Sequence, residues 1–469
     1  MISYKNFNRV KKHSSLKGIF LCYLIIQFIF TLSYSFIQAP ILSFSSWPIK
    51  LIQSIERKIE KHHQKNKRKL KKEITISRQP EKLIETSLIN LKIKSYSIDD
   101  PTQKICSYWG AIEFEDNFSI NKAENEKDFI SKNLIYVDCT GSFHLINTEN
   151  STITEFKNSI LNIDLHNNEM RLYAKKLGIK KEFFPVHTND FKQIDKNKYL
   201  FSFTYWDTSE NCARLALKSI NLDKSNKWKN IFTSSCVYLR NRDDRIYDGH
   251  FTGGAIQKFD ASSILFTTGD FGFDGSNTNE DYPQDHNSPF GKILKINLNN
   301  NNISIYSLGH RNPEGIIRTS KGDIYSTEHG PAGGDELNKI IHGKNYGWPY
   351  VTYGIDYDDN FWPLQSNTNQ GKHDGFEKPL FSWLPDIGIG NLVEIKKFHK
   401  VWDGDILIAS LRAQSIFRVR IENDKRVVYT EQINLQDGIR DILTKDGFII
   451  LLTSSSKIMF INAVNKKLH

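Results

Sequence analysis

The chain has 469 residues, 39% of them hydrophobic and 12% aromatic, and carries a formal charge of +10. That apolar content excludes an intrinsically disordered body, and the 30 Phe and 19 Tyr suit the pleated surfaces of a β-rich globule. The charge does not argue for nucleic acid: its excess lies in residues 1–78, chiefly in the run Lys65-Asn66-Lys67-Arg68-Lys69-Leu70-Lys71-Lys72, and the remainder is nearly balanced.

Residues 1–17 are basic, with Lys5, Arg9, Lys11, Lys12 and Lys17. Residues 18–38 follow as an apolar stretch, free of charge from Gly18 to Phe36 and long enough to cross a bilayer as a helix. The basic residues before it place the N-terminus in the cytoplasm and send the rest to the periplasmic, extracytoplasmic side. Its length favours an uncleaved membrane anchor over a cleaved signal peptide, for which no A-x-A site follows. Residues 39–95 read as a basic linker. Ile52, Ile55 and Ile59 stand at helical spacing there, but the apolar stripe ends after about two turns, so a solvated linker is preferred to a lipid-surface helix.

From residue 96 to 465 a unit recurs: a strand-like run, a short turn, then a second strand-like run ending in a polar turn. The copies begin near Asn133, Lys198, Ser263, Gly322, Gly404 and Gly447. Six mostly β repeats, each too small to bury both faces alone, must pack around an axis, so the expected fold is an all-β six-bladed β-propeller. The long insertions 271–290 and 341–380 are expected to crowd one end of its channel. Of the cysteines in this body, Cys106, Cys139, Cys212 and Cys236 allow three disulfide pairings or four free thiols, and spacing does not choose.

Three places carry candidate chemistry. His250 lies in the glycine-rich segment Tyr247-Asp248-Gly249-His250-Phe251-Thr252-Gly253-Gly254, where the backbone can turn sharply and bring an imidazole to a ligand. Histidine is a natural general base for a hydroxyl proton, although a structural histidine is the commoner case. Arg311 and Asn312 precede Pro313, which bars a helix; guanidinium plus carboxamide suits carboxylate or quinone oxygens, or equally the carbonyls of a propeller. Gly330-Pro331 followed by Asp335-Glu336 offers carbonyls and carboxylates to a hard cation, or is simply a tight turn with a solvated acidic pair. The sequence contains no cysteine–histidine metal set, phosphate-binding glycine loop or G-x-S-x-G elbow.

These segments fall in an ordered series: Gly249 to Ala255, Phe266 to Phe271, Gly291 to Asn297, Gly309 to Ile316, Ser326 to Lys339, Lys344 to Tyr350, Lys378 to Leu384 and Gly404 to Ala413. In that series the chain resembles the soluble quinoprotein glucose/sorbosone dehydrogenases, especially their aldose sugar dehydrogenase branch. The resemblance runs from about His250 to Asp441. It implies a six-bladed propeller that holds pyrroloquinoline quinone (PQQ) and Ca²⁺ and oxidises the C1 hydroxyl of an aldose, passing electrons to an external acceptor. By the same resemblance His250 is the base, and Arg311, Asn312, Tyr357, Arg412 and Arg440 contact the cofactor. Gly330 and Pro331 offer carbonyls to Ca²⁺, and Glu336 and Tyr346 fall where the family has calcium-associated residues.

The departures are specific. Arg412 replaces a usual lysine, Gly438 stands where a second cofactor-binding arginine is expected beside Arg440, and Gly254 or Ala255 stands where an arginine is common. The early glutamine-glycine-leucine-leucine segment is not recognisable. Each lost charge-assisted bond costs about 1.5–3 kcal/mol, so a second expectation stands beside the first: a propeller without PQQ that binds a glycan or a protein. A metal-assisted lactonase is a weaker third, because no cluster of carboxylates is evident.

Overall fold

A computed structural model describes residues 75–99, 109–114, 133–147, 152–155, 161–179, 186–221, 227–239, 247, 249–275, 278, 280–355, 372–423, 425–445 and 447–464. The chain divides into two units, residues 1–72 and 73–469, and every described residue belongs to the second. Among the described residues no helix is long and apolar enough to cross a membrane. The expected anchor at 18–38 lies outside them.

The second unit is the six-bladed propeller that the repeats imply. Five sheets have four antiparallel strands, and the sixth is built from both ends of the chain. Their first strands are Ala111–Phe114, Thr188–Asp195, Gly253–Lys258, Pro313–Arg318, Ile389–Glu394 and Ile439–Lys445, here the inner strands of blades one to six. Each inner strand packs on the next, and the sixth returns to the first. Apolar side chains fill the spaces between sheets, led by Trp206, Phe201, Phe203 and Phe266 in one cluster and by Trp402, Leu407 and Ile442 in another.

Blade six corrects the linker boundary. Strands begin at Thr75, inside the stretch 39–95, and Asn90–Asp99 pairs along Lys457–Val464 as that blade's fourth strand, with Thr75–Arg78 and Lys82–Glu85 pairing beyond it. Leu91 and Ile93 bury one face of it and Tyr96 and Ile98 the other, two short alternations that change phase between 93 and 96 and that the neighbouring lysines obscure in the sequence. The cysteine question is also answered in part. Cys212 is bonded to Cys236 across blade two, and Cys139 is disulfide-bonded as well.

Polar groups tie the blades at all six junctions. Glu113 accepts from the Gln193 amide (3.1 Å), Asp190 from the Ile256 amide (2.8 Å), and the Thr267 hydroxyl donates to the Pro313 carbonyl (2.8 Å). The Thr327 hydroxyl donates to Gly390 (2.6 Å), and Asn391 Nδ2 donates to Asp441 Oδ1 (2.7 Å). Asp441 Oδ2 then accepts from the Ile112 amide (3.0 Å) and closes the ring. A buried backbone amide left without an acceptor costs about 1–3 kcal/mol, so these bonds fix where each blade sits.

Asp441→Ala is therefore expected to lower unfolding free energy by about 2–5 kcal/mol, because it strands donors on blades one and five together. Thr267→Val, which removes one bond, is expected to cost about 1 kcal/mol. Urea unfolding checks both, and a loss below about 1 kcal/mol for Asp441→Ala would show that the ring is not held there.

Candidate functional site

In an antiparallel sheet the start of the first strand and the turn between the second and third lie at the same end. At that end of the propeller they enclose a cavity of about 740 Å³. Residues just ahead of the inner strands supply most of it: Trp109 from blade one, Gly249 to Thr252 from blade three, Arg311 and Asn312 from blade four, Asp386 and Gly388 from blade five, and Gly438 from blade six. The second-to-third turns add His329, Arg412 and Ser454. The insertion 271–290, blade three's second-to-third turn, lies at this end; among the described residues neither long insertion lines the cavity, while Trp348 from 341–380 buttresses a lining residue.

The His250 turn is tightly constrained. Gly249, Phe251, Gly253 and Gly254 all have positive φ, and Phe251, at 63°, adopts a conformation unusual for a side chain of its size. The turn is held from both sides: Asn312 Oδ1 accepts the Gly253 amide at 3.0 Å, and His187 Nε2 donates to the Gly249 carbonyl at 3.0 Å. At Gly254, with φ of 103°, an added Cβ would lie 2.3 Å from the Asn189 amide nitrogen. No arginine fits at Gly254, one of the two positions at which the family departure falls.

Arg311 is the most firmly fixed charge. Its Nη1 donates to the carbonyls of Gly330 (2.6 Å) and His329 (3.2 Å), and its guanidinium carbon lies 4.5 Å from the centre of the Phe251 ring and 5.2 Å from that of Trp348. Trp348 is itself held by donating to Asp270 at 2.7 Å. Such doubly stacked cations are well anchored.

Two acids that the sequence reading did not select organise the other cations. Glu314 accepts from Asn312 Nδ2 (2.9 Å) and from Arg440 Nη1 (3.0 Å). Burial opposes its charge, but Arg440, then His329 and Asn312, hold its carboxyl below the usual range. Both carboxylate oxygens of Asp386 accept from Arg412 Nη1, at 2.6 and 2.7 Å. His329 lies 3.5 Å from Asp335; burial disfavours its charge, yet the carboxylate outweighs burial and raises its pKa. Glu314 adjoins the Arg311-Asn312-Pro313 segment and Asp386 follows Pro385, but neither stands in a motif that demands an acid.

Of the sequence-selected residues, His250, Arg311, Asn312, Arg412 and Arg440 thus share one cavity. Tyr357 lies outside the described residues. At Gly438 an added Cβ would meet Ser454 Oγ at 2.7 Å and the Leu411 carbonyl at 2.9 Å, so the missing arginine has no room.

The four metal candidates do not assemble. The Gly330 carbonyl is taken by Arg311, Pro331 is buried but lines no part of the cavity, and Glu336 and Tyr346 lie away from it. Glu336 accepts from Asn338 at 3.1 Å, while the Tyr346 hydroxyl donates to the Lys339 carbonyl. Among the described residues no group of three or more His, Cys, Asp or Glu side chains could hold a metal ion. A Ca²⁺ site built from these four does not fit.

The glucose/sorbosone dehydrogenase family profile matches residues 187–461. An aldose sugar dehydrogenase of Escherichia coli is 29% identical over 226 residues, 44% of this chain and 58% of its own length. Quinoprotein glucose dehydrogenase B of Acinetobacter calcoaceticus is 42% identical over 236 residues, 37% of this chain and 49% of its own. An uncharacterized protein of Synechocystis is 26% identical over 284 residues, 56% of this chain and 66% of its own, so the matches span from half to just under two thirds of these relatives. The fold matches a glucose dehydrogenase crystal structure at 19% identity with a TM-score of 0.56, covering 84% of this chain and all 100% of that one. It also matches the PQQ-bound form of aldose sugar dehydrogenase from Streptomyces coelicolor, at 16% identity and a TM-score of 0.50 over 71% of this chain and 91% of that one.

The Glu336 carboxyl yields a test of its environment. Burial, with Glu328 adding to it, pushes it up to about 8 from an ordinary 4.5. The folded chain keeps a proton that the unfolded chain has released, so this stabilisation is complete below the ordinary value and gone once pH passes about 8. Glu336→Gln is expected to flatten the fall of unfolding free energy between pH 5 and 8 by up to about 1.4 kcal/mol per pH unit, read by urea unfolding at each pH. An unchanged slope would count against a protonated Glu336.

Proposed function

The chain belongs to the glucose/sorbosone dehydrogenase family, and on that footing we propose that it oxidises the C1 hydroxyl of an aldose, or of a related sugar or alcohol, with PQQ as electron acceptor. The observation that carries this reading is convergence: His250, Arg311, Asn312, Arg412 and Arg440 arrive from separate blade edges at one cavity of about 740 Å³. Its donor set fits a planar, polyanionic quinone, with guanidinium groups and a carboxamide for carboxylates and ring oxygens.

Arg311, Asn312, Arg412 and Arg440 would hold the cofactor, which when bound accepts the hydride leaving C1. His250 takes the hydroxyl proton, so that loss of one proton and one hydride converts the hemiacetal to the lactone. The Gly253 amide bonded to Asn312 fixes the turn carrying His250, and Arg311, locked between Phe251 and Trp348, keeps its charge at the cavity wall without reorganising. Calcium is given no step here. An extracytoplasmic location with a membrane anchor at 18–38, and an external acceptor for the electrons, complete the proposal.

A second reading has specific support. Gly438 has no space for the absent arginine, and Arg440 and Arg412 are already paired with Glu314 and Asp386. A propeller with neutralised cations suits an uncharged glycan better than a polyanionic cofactor.

Absorbance titration with PQQ separates the two, stoichiometric binding being expected for a dehydrogenase. Dye reduction with aldoses should follow, and His250→Ala is expected to lower kcat about 10²–10⁴-fold with PQQ affinity nearly unchanged. Absence of PQQ binding by the native chain would leave the glycan-binding reading standing.

A further inference from the structure

Trp109 enters the cavity just ahead of the first inner strand, at the position where blades three and four deliver His250 and Arg311 with Asn312. Its indole is half-buried, and one face lies flat on the His187 imidazole, with ring centres 4.3 Å apart and planes 17° apart. His187 is fully buried and fixed by its bond to the Gly249 carbonyl. Burial pushes its pKa down to about 4, so at neutral pH it is an uncharged, rigid support.

The His250 ring stands 6.1 Å from that of Trp109 at a 48° tilt, so the two rings form a wedge at the cavity wall. Asn312, Glu314 and Arg440 add polar groups to the same cavity. An aromatic plate beside convergent hydrogen-bonding groups matches the two-sided chemistry of a pyranose, whose C–H face is apolar and whose rim is hydroxyl.

We propose that Trp109 is the platform on which the ring of a pyranose substrate rests, its anomeric hydroxyl turned toward His250. This names the substrate subsite of the dehydrogenase reading and rests on that reading for the role of His250, whereas the stacking stands on the Trp109 geometry alone. Trp109 acts on substrate affinity and ring orientation, while the proton passes to His250.

The test uses the full chain loaded with PQQ, D-glucose as the probe, and the variants Trp109→Ala and Trp109→Phe. Trp109→Ala is expected to raise KM about 10-fold or more with kcat within about 3-fold and PQQ affinity unchanged, and Trp109→Phe to recover most of the loss. An unchanged KM, a loss confined to kcat, weakened PQQ binding in place of weakened sugar binding, or a Trp109→Phe variant no better than Trp109→Ala would each overturn it. If the native chain does not turn over, saturation-transfer NMR with D-glucose decides. Transfer to the sugar C–H protons that is lost in Trp109→Ala and kept in Trp109→Phe upholds the platform while the dehydrogenase reading fails. No transfer in the native chain, or equal transfer in Trp109→Ala, overturns the platform itself.

Discussion

Everything at the cavity depends on the ring being closed at a fixed circumference. Six sheets that each bury one face on a neighbour gain nothing from being near-neighbours; they must meet all the way round. The inner-strand bonds enforce this, and Asp441 holds two junctions at once, to Asn391 on one side and to the Ile112 amide on the other. The strand Asn90–Asp99 then joins the two ends of the chain in blade six. With the inner strands so fixed, a residue one to four places ahead of each strand has its position set before any side-chain interaction is counted.

The charges at the rim follow a different logic from the charges in the ring. Arg311 is held by carbonyls and aromatic faces, and among the described residues no carboxylate forms a salt bridge with it, the nearby Asp270 acting on it only at a distance. Arg440 and Arg412 are neutralised by Glu314 and Asp386. Anionic character in a ligand is therefore met first by Arg311, and any group drawing on Arg440 or Arg412 must compete with an existing ion pair. Exposed pairs such as Arg412 with Asp386 are weak and exchange readily, whereas the nearly buried pair of Glu314 with Arg440 resists separation.

Blade count was legible because period-two runs and glycine punctuation recur along the chain, whereas the grouping of five site residues was implied by the family resemblance alone. The first strands were not legible, since the lysines around Leu91 and Ile93 mask an alternation visible only once its partner strand is known. Trp109 and His187 escaped notice because neither stands in a motif; their pairing joins residues 78 positions apart through space alone. The metal quartet failed for a related reason. Residue type offered carbonyls, a carboxyl and a phenol, but a bond from Arg311 and another to Lys339 had already claimed two of them.

The equivalence of the sites ahead of the inner strands gives the molecule a modular rim. Trp109, His187, His250, Arg311, Asp386 and Gly438 occupy corresponding slots around one axis, and the six junction bonds described above lie outside them, although His187 also bonds across to Gly249. Substitution in an open slot such as that of Trp109 or Asp386 can thus change what the cavity recognises, whereas the slots of Gly438 and His187 are packed and have no such freedom. The open walls can therefore be altered one at a time, a mutational independence that a site assembled from a single long loop would not have.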